Sequence, residues 1–537
     1  MSAGCEARGR TAWRWVPLLA ILLVGLFLRV QQLGDQWLTD DEWHAVHRVV
    51  AGQTYAELAS TVGAADYSIP QALLYKFLAA GGGLDERTMR LPMVAAGLVM
   101  LVAGTVWARR RFGWWTGYSF AVLLAISPFL VNYSRTARPY AITCLLVWLS
   151  LFSAAQWVRT RSNAWGACYG VAATFACWLH MAAAPFALAP LAWVAFDALR
   201  TAWRDRQWQG MVPVSLVASA VVGAVGILCI RPMLLSRSAL ASRLGSDLPD
   251  LETLVEMMHL WVGSGLDVLV GFASVLALVG SLRLWRTRRD LLLLLLAGTG
   301  ATLAGIYLSK PAWIQNGLTM GRYLLPLLPA FLLAMALGIV RLSEAIPARP
   351  IRILVSILLP WTFLVGSPHA DMLRRPNNFT LHYWYQFDYR EAQNPVRVGM
   401  KAMPIHSFWA SLASAEAGTR TIAVAGHGLE SFTVPDVRWQ TRHHQYVVQA
   451  QLTGYCKPPP YIAEAPPSAG FALHNAVELG DMGLPDTRKV DFLVFEKHGS
   501  VPVGRCIEKF KQDHGMPFLE DDALAVFDLR PSTASAR

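Results

Sequence analysis

Apolar positions fall in long blocks, not at a strict helical or strand period. Runs at 16–28, 91–107, 212–230, 291–308 and 323–340 are each close to the ~20 residues that a helix needs to cross a bilayer. With the shorter apolar stretches between them they predict eleven spans, near 15–33, 91–108, 114–131, 139–157, 164–180, 182–198, 211–230, 265–282, 290–308, 322–340 and 351–367. A large polar loop, about 34–90, separates the first two. No small-residue cleavage site follows the first run, so it reads as an uncleaved helix and not a signal peptide. Beyond residue 367 the pattern changes. Stretches 421–425, 491–496 and 524–529 read as strands and 506–514 as a helix, among turn-rich segments such as Cys456-Lys457-Pro458-Pro459-Pro460. The expectation is an α-helical polytopic membrane protein of about eleven transmembrane helices (1–367) carrying a C-terminal external α/β domain (368–537).

Composition agrees. Of 537 residues 54% are hydrophobic and 15% charged, with mean hydropathy +0.36. So few charges cannot cover a soluble surface of this size, which excludes a soluble enzyme and a disordered chain. The net charge of +11 raises the question of nucleic acid, and its distribution answers it. From Pro368 onward 17 Lys/Arg face 18 Asp/Glu, so the excess sits in the short loops between spans. Alternate loops hold 18 and 11 Lys/Arg, and 4 and 12 Asp/Glu. This is the positive-inside pattern, with a cytoplasmic N-terminus and an external C-terminal part in the inner membrane. No basic tail remains for a phosphate backbone. Seven cysteines show no metal spacing. Cys456 and Cys506 share the external part, where oxidation can join them.

The candidate chemistry gathers in the external loops. Asp40-Asp41-Glu42 begins a helical stretch whose apolar stripe is Trp43, Val46 and Val50. A capping box of Thr39 and Glu42, with Asp40 and Asp41 on the helix dipole, explains these acids structurally. A general base at a membrane surface explains them functionally. Asp40, His44 and His47 fall at i, i+4 and i+7, which leaves a divalent metal open with no cofactor certain. Arg135 and Arg138, in Asn132–Tyr140, and Arg322, in Gly321-Arg322-Tyr323-Leu324-Leu325-Pro326, suit either a phosphate fork or snorkelling to lipid headgroups. Arg29 reads as a snorkelling anchor, His180 as a packing residue and His443-His444 as a solvated loop.

The order of these features resembles one family. It comprises Arg29 and Leu33 closing a first span, the Asp41-Glu42 pair, Asp66-Tyr67-Ser68-Ile69-Pro70 leading to Leu74-Tyr75, and Arg90-Leu91-Pro92. Ser134–Tyr140 and Gly321–Pro326 complete it. The chain is similar to the bacterial polytopic glycosyltransferases that use polyprenyl-phosphate sugars, relatives of the protein O-mannosyltransferases and the lipid A aminoarabinose transferases. The resemblance implies inverting transfer of a sugar from a polyprenyl-phosphate carrier to an acceptor hydroxyl outside the membrane. The acceptor would be an envelope glycan, a lipid or a protein, with membrane lipids as further partners and no nucleic acid. It implies Asp41 as general base, Glu42 as its partner acid, and Arg138, Tyr140, Arg322 and Tyr323 on the donor-phosphate side. Asp40, Asp66 and His180 are further candidates for substrate contact, beside the packing reading of His180. Relatives often carry His-Pro-Pro or Lys-Pro-Pro where this chain has Ser68-Ile69-Pro70, and Lys76, two turns on, would supply the missing cation. A surface-polysaccharide polymerase or ligase is the nearest alternative. A transporter is a further one, although ionisable groups here collect at span ends and no paired halves occur.

Overall fold

The computed structural model describes residues 15–31, 33, 42, 45, 47–50, 53–63, 68–82, 86–206, 208–236, 245, 247–369, 406–416, 419–426, 443, 445–451, 472–475, 490–499 and 502–530. The helical part begins with α1 (Val16–Val30), α2 (His47–Val50), α3 (Tyr55–Ser60), α4 (Ile69–Gly82) and α5 (Glu86–Phe112). Then come α6 (Trp114–Ile126), α7 (Pro128–Arg135), α8 (Tyr140–Thr160), α9 (Asn163–Leu179), α10 (Ala184–Asp205), α11 (Met211–Val225) and α12 (Arg231–Leu235). It closes with α13 (Leu251–Val262), α14 (Asp267–Thr287), α15 (Arg289–Ser309), α16 (Gly317–Tyr323), α17 (Leu328–Glu344) and α18 (Arg349–Leu358).

Among the described residues seven helical stretches are long and apolar enough to cross a membrane, and eight if the bent pair α6–α7 counts as one. Each of the eleven expected spans coincides with helix, but α1, α9 and α18 are shorter than that measure requires. Small residues let some helices approach closely. A Cβ on Gly280 would stand 1.8 Å from the Ala334 carbonyl oxygen, and one on Gly338 2.1 Å from that of Leu276. The backbones of α14 and α17 therefore touch, the usual means of packing where lipid removes the hydrophobic driving force.

The bend between α6 and α7, 55°, explains Arg29. Pro128 has no N–H for the Leu124 carbonyl, and the turn denies a partner to the next one. Arg29, 1% exposed, fills both places, with Nη2 donating to Leu124 O (3.1 Å) and Nη1 to Ala125 O (3.4 Å) and Gly25 O (3.0 Å). The snorkelling expectation is thus corrected: backbone carbonyls released by a helix break hold this guanidinium inside the protein. Arg135 likewise turns inward, Nη1 donating to Leu28 O (3.2 Å) and Gln31 O (2.8 Å) at the end of α1.

The C-terminal part holds α19 (Ser407–Leu412), β1 (Thr421–Ala425), β2 (Tyr446–Gln451), β3 (Ala472–Asn475), β4 (Phe492–Glu496), α20 (Gly504–His514), β5 (Leu519–Glu520) and β6 (Leu524–Asp528). The sheet order is β3-β2-β1-β4-β6-β5, with β1 parallel to β2 and β4 and the outer pairings antiparallel. Ile422 and Val424 pack with Phe408 and Trp409 on one face, and Ala423 and Ala425 with Ile507 and Phe510 on the other. A central strand covered on both faces is apolar on both, which is why Ile422–Ala425 follow Thr421 as a continuous apolar run. His443 is a second correction. It is 1% exposed, stacked on Trp409 with centroids 5.5 Å apart, and its Nδ1 accepts the Gln445 N–H. His444 lies outside the described residues. Cys506 is disulfide-bonded, to a partner outside the described residues.

Candidate active site

Glu42 is the described member of the acidic pair, and it is 2% exposed. Arg90 grips its carboxylate as a fork, Nε to Oε1 at 2.8 Å and Nη2 to Oε2 at 2.7 Å, while Nη1 donates to Leu33 O at 2.8 Å. Two parallel charge-assisted bonds fix geometry as well as energy. Oε1 also accepts the Ala137 N–H at 2.7 Å. The Ala137 carbonyl is held in turn by Gln71 Nε2 at 2.7 Å, which also reaches the Tyr75 hydroxyl. Tyr75 donates to Met89 O at 2.8 Å, and burial pushes its phenol above the usual range, so it remains a donor. One buried network therefore ties the end of α1, the start of α5, α4 and the chain just before Arg138. Ala45, Tyr75, Met89, Met93, Ala137 and Ala141 pack around it.

Arg138 is 8% exposed and precedes Pro139, which caps the start of α8. The helix then presents Tyr140. Its ring lies 4.9 Å from that of Tyr133 and 5.1 Å from His180, and the Arg322 guanidinium stands 6.0 Å from its centroid. Arg322 comes from α16, whose first turn is fixed twice. Asn316 accepts the Leu318 and Thr319 N–H groups, and Glu256 Oε2 accepts that of Gly317 at 2.8 Å. Arg322 Nη2 donates to Thr319 Oγ1 at 3.1 Å. A Cβ on Gly321 would stand 2.8 Å from Phe129 Cζ, so any other residue here would have to displace that buried ring. Tyr140, Thr143, His180, Arg322 and Tyr323 line one small pocket.

The fold thus brings Tyr140, His180 and the adjacent Arg322 and Tyr323 together from three separate stretches of chain. Arg138 sits at the pocket's edge in sequence, two residues from Tyr140. Lys76 lies elsewhere on α4, its ammonium 5.3 Å from the Tyr55 ring centroid and beside Glu57, and does not line the pocket. Asp40, Asp41, His44 and Asp66 lie outside the described residues, and of His47 only its place at the start of α2 is described. The Thr39 half of the capping box also lies outside. A capping box does occur, at Thr54 and Glu57. Among the described residues no group of three or more His, Cys, Asp or Glu is placed to hold a metal. Sequence reasoning gave no role to Arg90, Gln71, Tyr75 or Thr143. An arginine opening an apolar run was the signal for Arg90. Tyr75 stands in the Leu74-Tyr75 motif without a role, and Gln71 and Thr143 carry no mark in sequence, being ordinary residues that the fold buries.

Residues 71–244, about a third of the chain, match the family profile described as dolichyl-phosphate-mannose-protein mannosyltransferase. That stretch includes Gln71, Arg90, Arg138, Tyr140 and His180. No curated protein sequence gives a significant match. Among solved structures, ArnT from Cupriavidus metallidurans in the apo state superposes with a TM-score of 0.50 at 13% identity, over 96% of this chain and 98% of that one. An oligosaccharyltransferase from Archaeoglobus fulgidus gives a TM-score of 0.42 at 11% identity, over 89% and 68%. The likeness to ArnT is one of fold and runs nearly end to end.

Proposed function

We propose, from the profile match over residues 71–244 and the ArnT-like fold, that the chain is a membrane glycosyltransferase of the protein-mannosyltransferase and ArnT type, which transfers a sugar from a polyprenyl-phosphate carrier to a hydroxyl acceptor at the outer face of the inner membrane. One observation carries this reading. The Glu42 carboxylate, one residue from Asp41, bonds the Ala137 N–H, one residue from Arg138, and that segment leads directly into the pocket of Tyr140, His180, Arg322 and Tyr323. A carboxylate-bearing loop and a cationic, aromatic pocket are thereby coupled.

The chemistry follows from these parts. The acceptor oxygen attacks the anomeric carbon as the bond from that carbon to the phosphate oxygen breaks. The acceptor proton passes to Asp41, and the electron pair leaves with the lipid phosphate. Arg322 and Arg138 stabilise that growing negative charge, and a charge formed in a water-poor site makes such stabilisation large. Tyr140, under Arg322, holds the guanidinium and offers a face for the sugar. A single displacement of this kind inverts the anomeric centre. Glu42 acts as a positioning residue, since its carboxylate is engaged by Arg90.

Asp41→Asn keeps the side chain's size and removes the base. We expect turnover with a polyprenyl-phosphate sugar to fall about 10²–10⁴-fold, as general-base loss does. Unchanged turnover on membrane-inserted protein would move the role to Asp40 or Asp66. An anomeric configuration retained in the product, read by NMR, would end the single-displacement scheme.

A further inference from the structure

At the end of the bundle opposite the candidate site, α5 and α8 diverge around a groove with room for about 490 Å³. Along α8 it lies roughly 28 Å from Tyr140, at 1.5 Å rise per residue. Its walls are Trp107 and Phe152, and its rim is Arg110, Arg111 and Arg159. All three arginines are exposed. Arg159 is turned by Gln156, its Nη2 donating to Gln156 Oε1 at 2.8 Å. Neither Arg110 nor Arg111 bonds a carboxylate among the described residues. Asp290, which acts on Arg111 through charge, is bonded by Arg288 at 2.8 and 3.0 Å. The neighbouring Arg109 is also spent, stacked 3.6 Å from the centre of the Trp15 ring. The positive-inside pattern explains arginines at this end, but not a cleft of this size with aromatic walls and three guanidiniums that bond no carboxylate among the described residues.

We propose that this groove binds the head group of an anionic phospholipid. The phosphate would sit among Arg110, Arg111 and Arg159, and the glycerol and upper acyl carbons would lie against Trp107 and Phe152. Charge selects the ligand, since three cations that bond no carboxylate among the described residues call for an anion. Position selects the source, since the groove opens between two membrane-crossing helices where their apolar length meets the basic rim. The volume suits a phosphodiester head group and far exceeds one water. Basic pockets between helices at the basic face of membrane proteins take such head groups for the same reason.

The experiment uses the full chain purified in detergent. Bound lipid is counted by native mass spectrometry after a delipidating wash, with phosphatidylglycerol as the added probe and phosphatidylcholine as its neutral control. Wild type should retain phosphatidylglycerol selectively. The triple variant R110Q/R111Q/R159Q should bind it roughly 100-fold more weakly, the order of loss expected for three surface cations. The charge-preserving R110K/R111K/R159K should keep most of the binding and report on folding. R200Q/R204Q/R206Q, altered in another basic segment, should behave as wild type. Equal retention by the glutamine triple and wild type would overturn the proposal, as would equal loss in R200Q/R204Q/R206Q. Displacement of the lipid by excess inorganic phosphate would also overturn it, because the site would then read a free anion and not a lipid.

Discussion

At the scale of single residues, Glu42 and His369 carry the sharpest consequences. Glu42 shares a buried fork with Arg90, both about 2% exposed. Removing one charge of such a pair leaves the other stranded, at a cost of about 3–5 kcal/mol. We therefore expect Glu42→Gln to lower thermal stability by that amount, and E42Q/R90Q to recover part of it. A Glu42→Gln protein as stable as wild type but inactive would assign Glu42 directly to the chemistry. His369, just beyond the last apolar run, is buried beside the Ile126 backbone, and burial, then Arg29 and Arg135, push its pKa down to about 3. The unfolded imidazole titrates near 6.5, so protons bind the unfolded chain first. Its contribution to stability is complete above about pH 6.5 and falls by on the order of 1.4 kcal/mol per unit as the pH drops toward 3. Melting followed from pH 7.5 to 5 should show a steeper decline for wild type than for His369→Asn, which keeps polar atoms without titrating.

At the scale of elements, the break between α6 and α7 organises its surroundings. Proline cannot donate, so α6 ends with carbonyls that water cannot reach inside a bundle, and Arg29 serves Leu124 and Ala125. Arg29→Met keeps length and apolar packing but leaves both acceptors bare. We expect a loss of about 1–3 kcal/mol for each carbonyl abandoned, read as a fall in melting temperature. A snorkelling arginine would show almost none. In the sheet, α20 covers one face through Cys506, Ile507 and Phe510. The disulfide at Cys506 ties that helix to chain beyond the described residues. Alkylation of the folded protein before and after reduction, followed by peptide mapping, should label Cys506 only after reduction. The expected partner is Cys456, and recovery of a Cys456–Cys506 peptide would establish the pair.

At the scale of the whole molecule, the sequence by itself determined what solvent chemistry dictates. Blocks of about twenty apolar residues have no stable place but a bilayer, so the polytopic helical class was legible before any contact was known. The same holds for 421–425, a short, mostly apolar stretch among turn-rich segments that reads as a strand; its burial on both faces came from the structure. The helix over 506–514 was legible for a different reason, its one apolar stripe. Parts of the site were legible as motifs: Arg138 with Tyr140, and Arg322 with Tyr323, each polar where a span begins. Their meeting was not, because no local signal says that residues 140, 180 and 322 share a pocket. Packing of α8 against the segment before α10 and the turn after α16 decides it. The roles of the buried charges were also hidden. Arg29, Glu42 and His443 look like surface residues in a one-dimensional pattern, and only the tertiary structure supplies the carbonyls, the Arg90 fork and the Trp409 ring that make their burial tolerable. A charge announces in sequence that it needs a partner, but the partner is chosen by the fold, since burial removes water as the alternative.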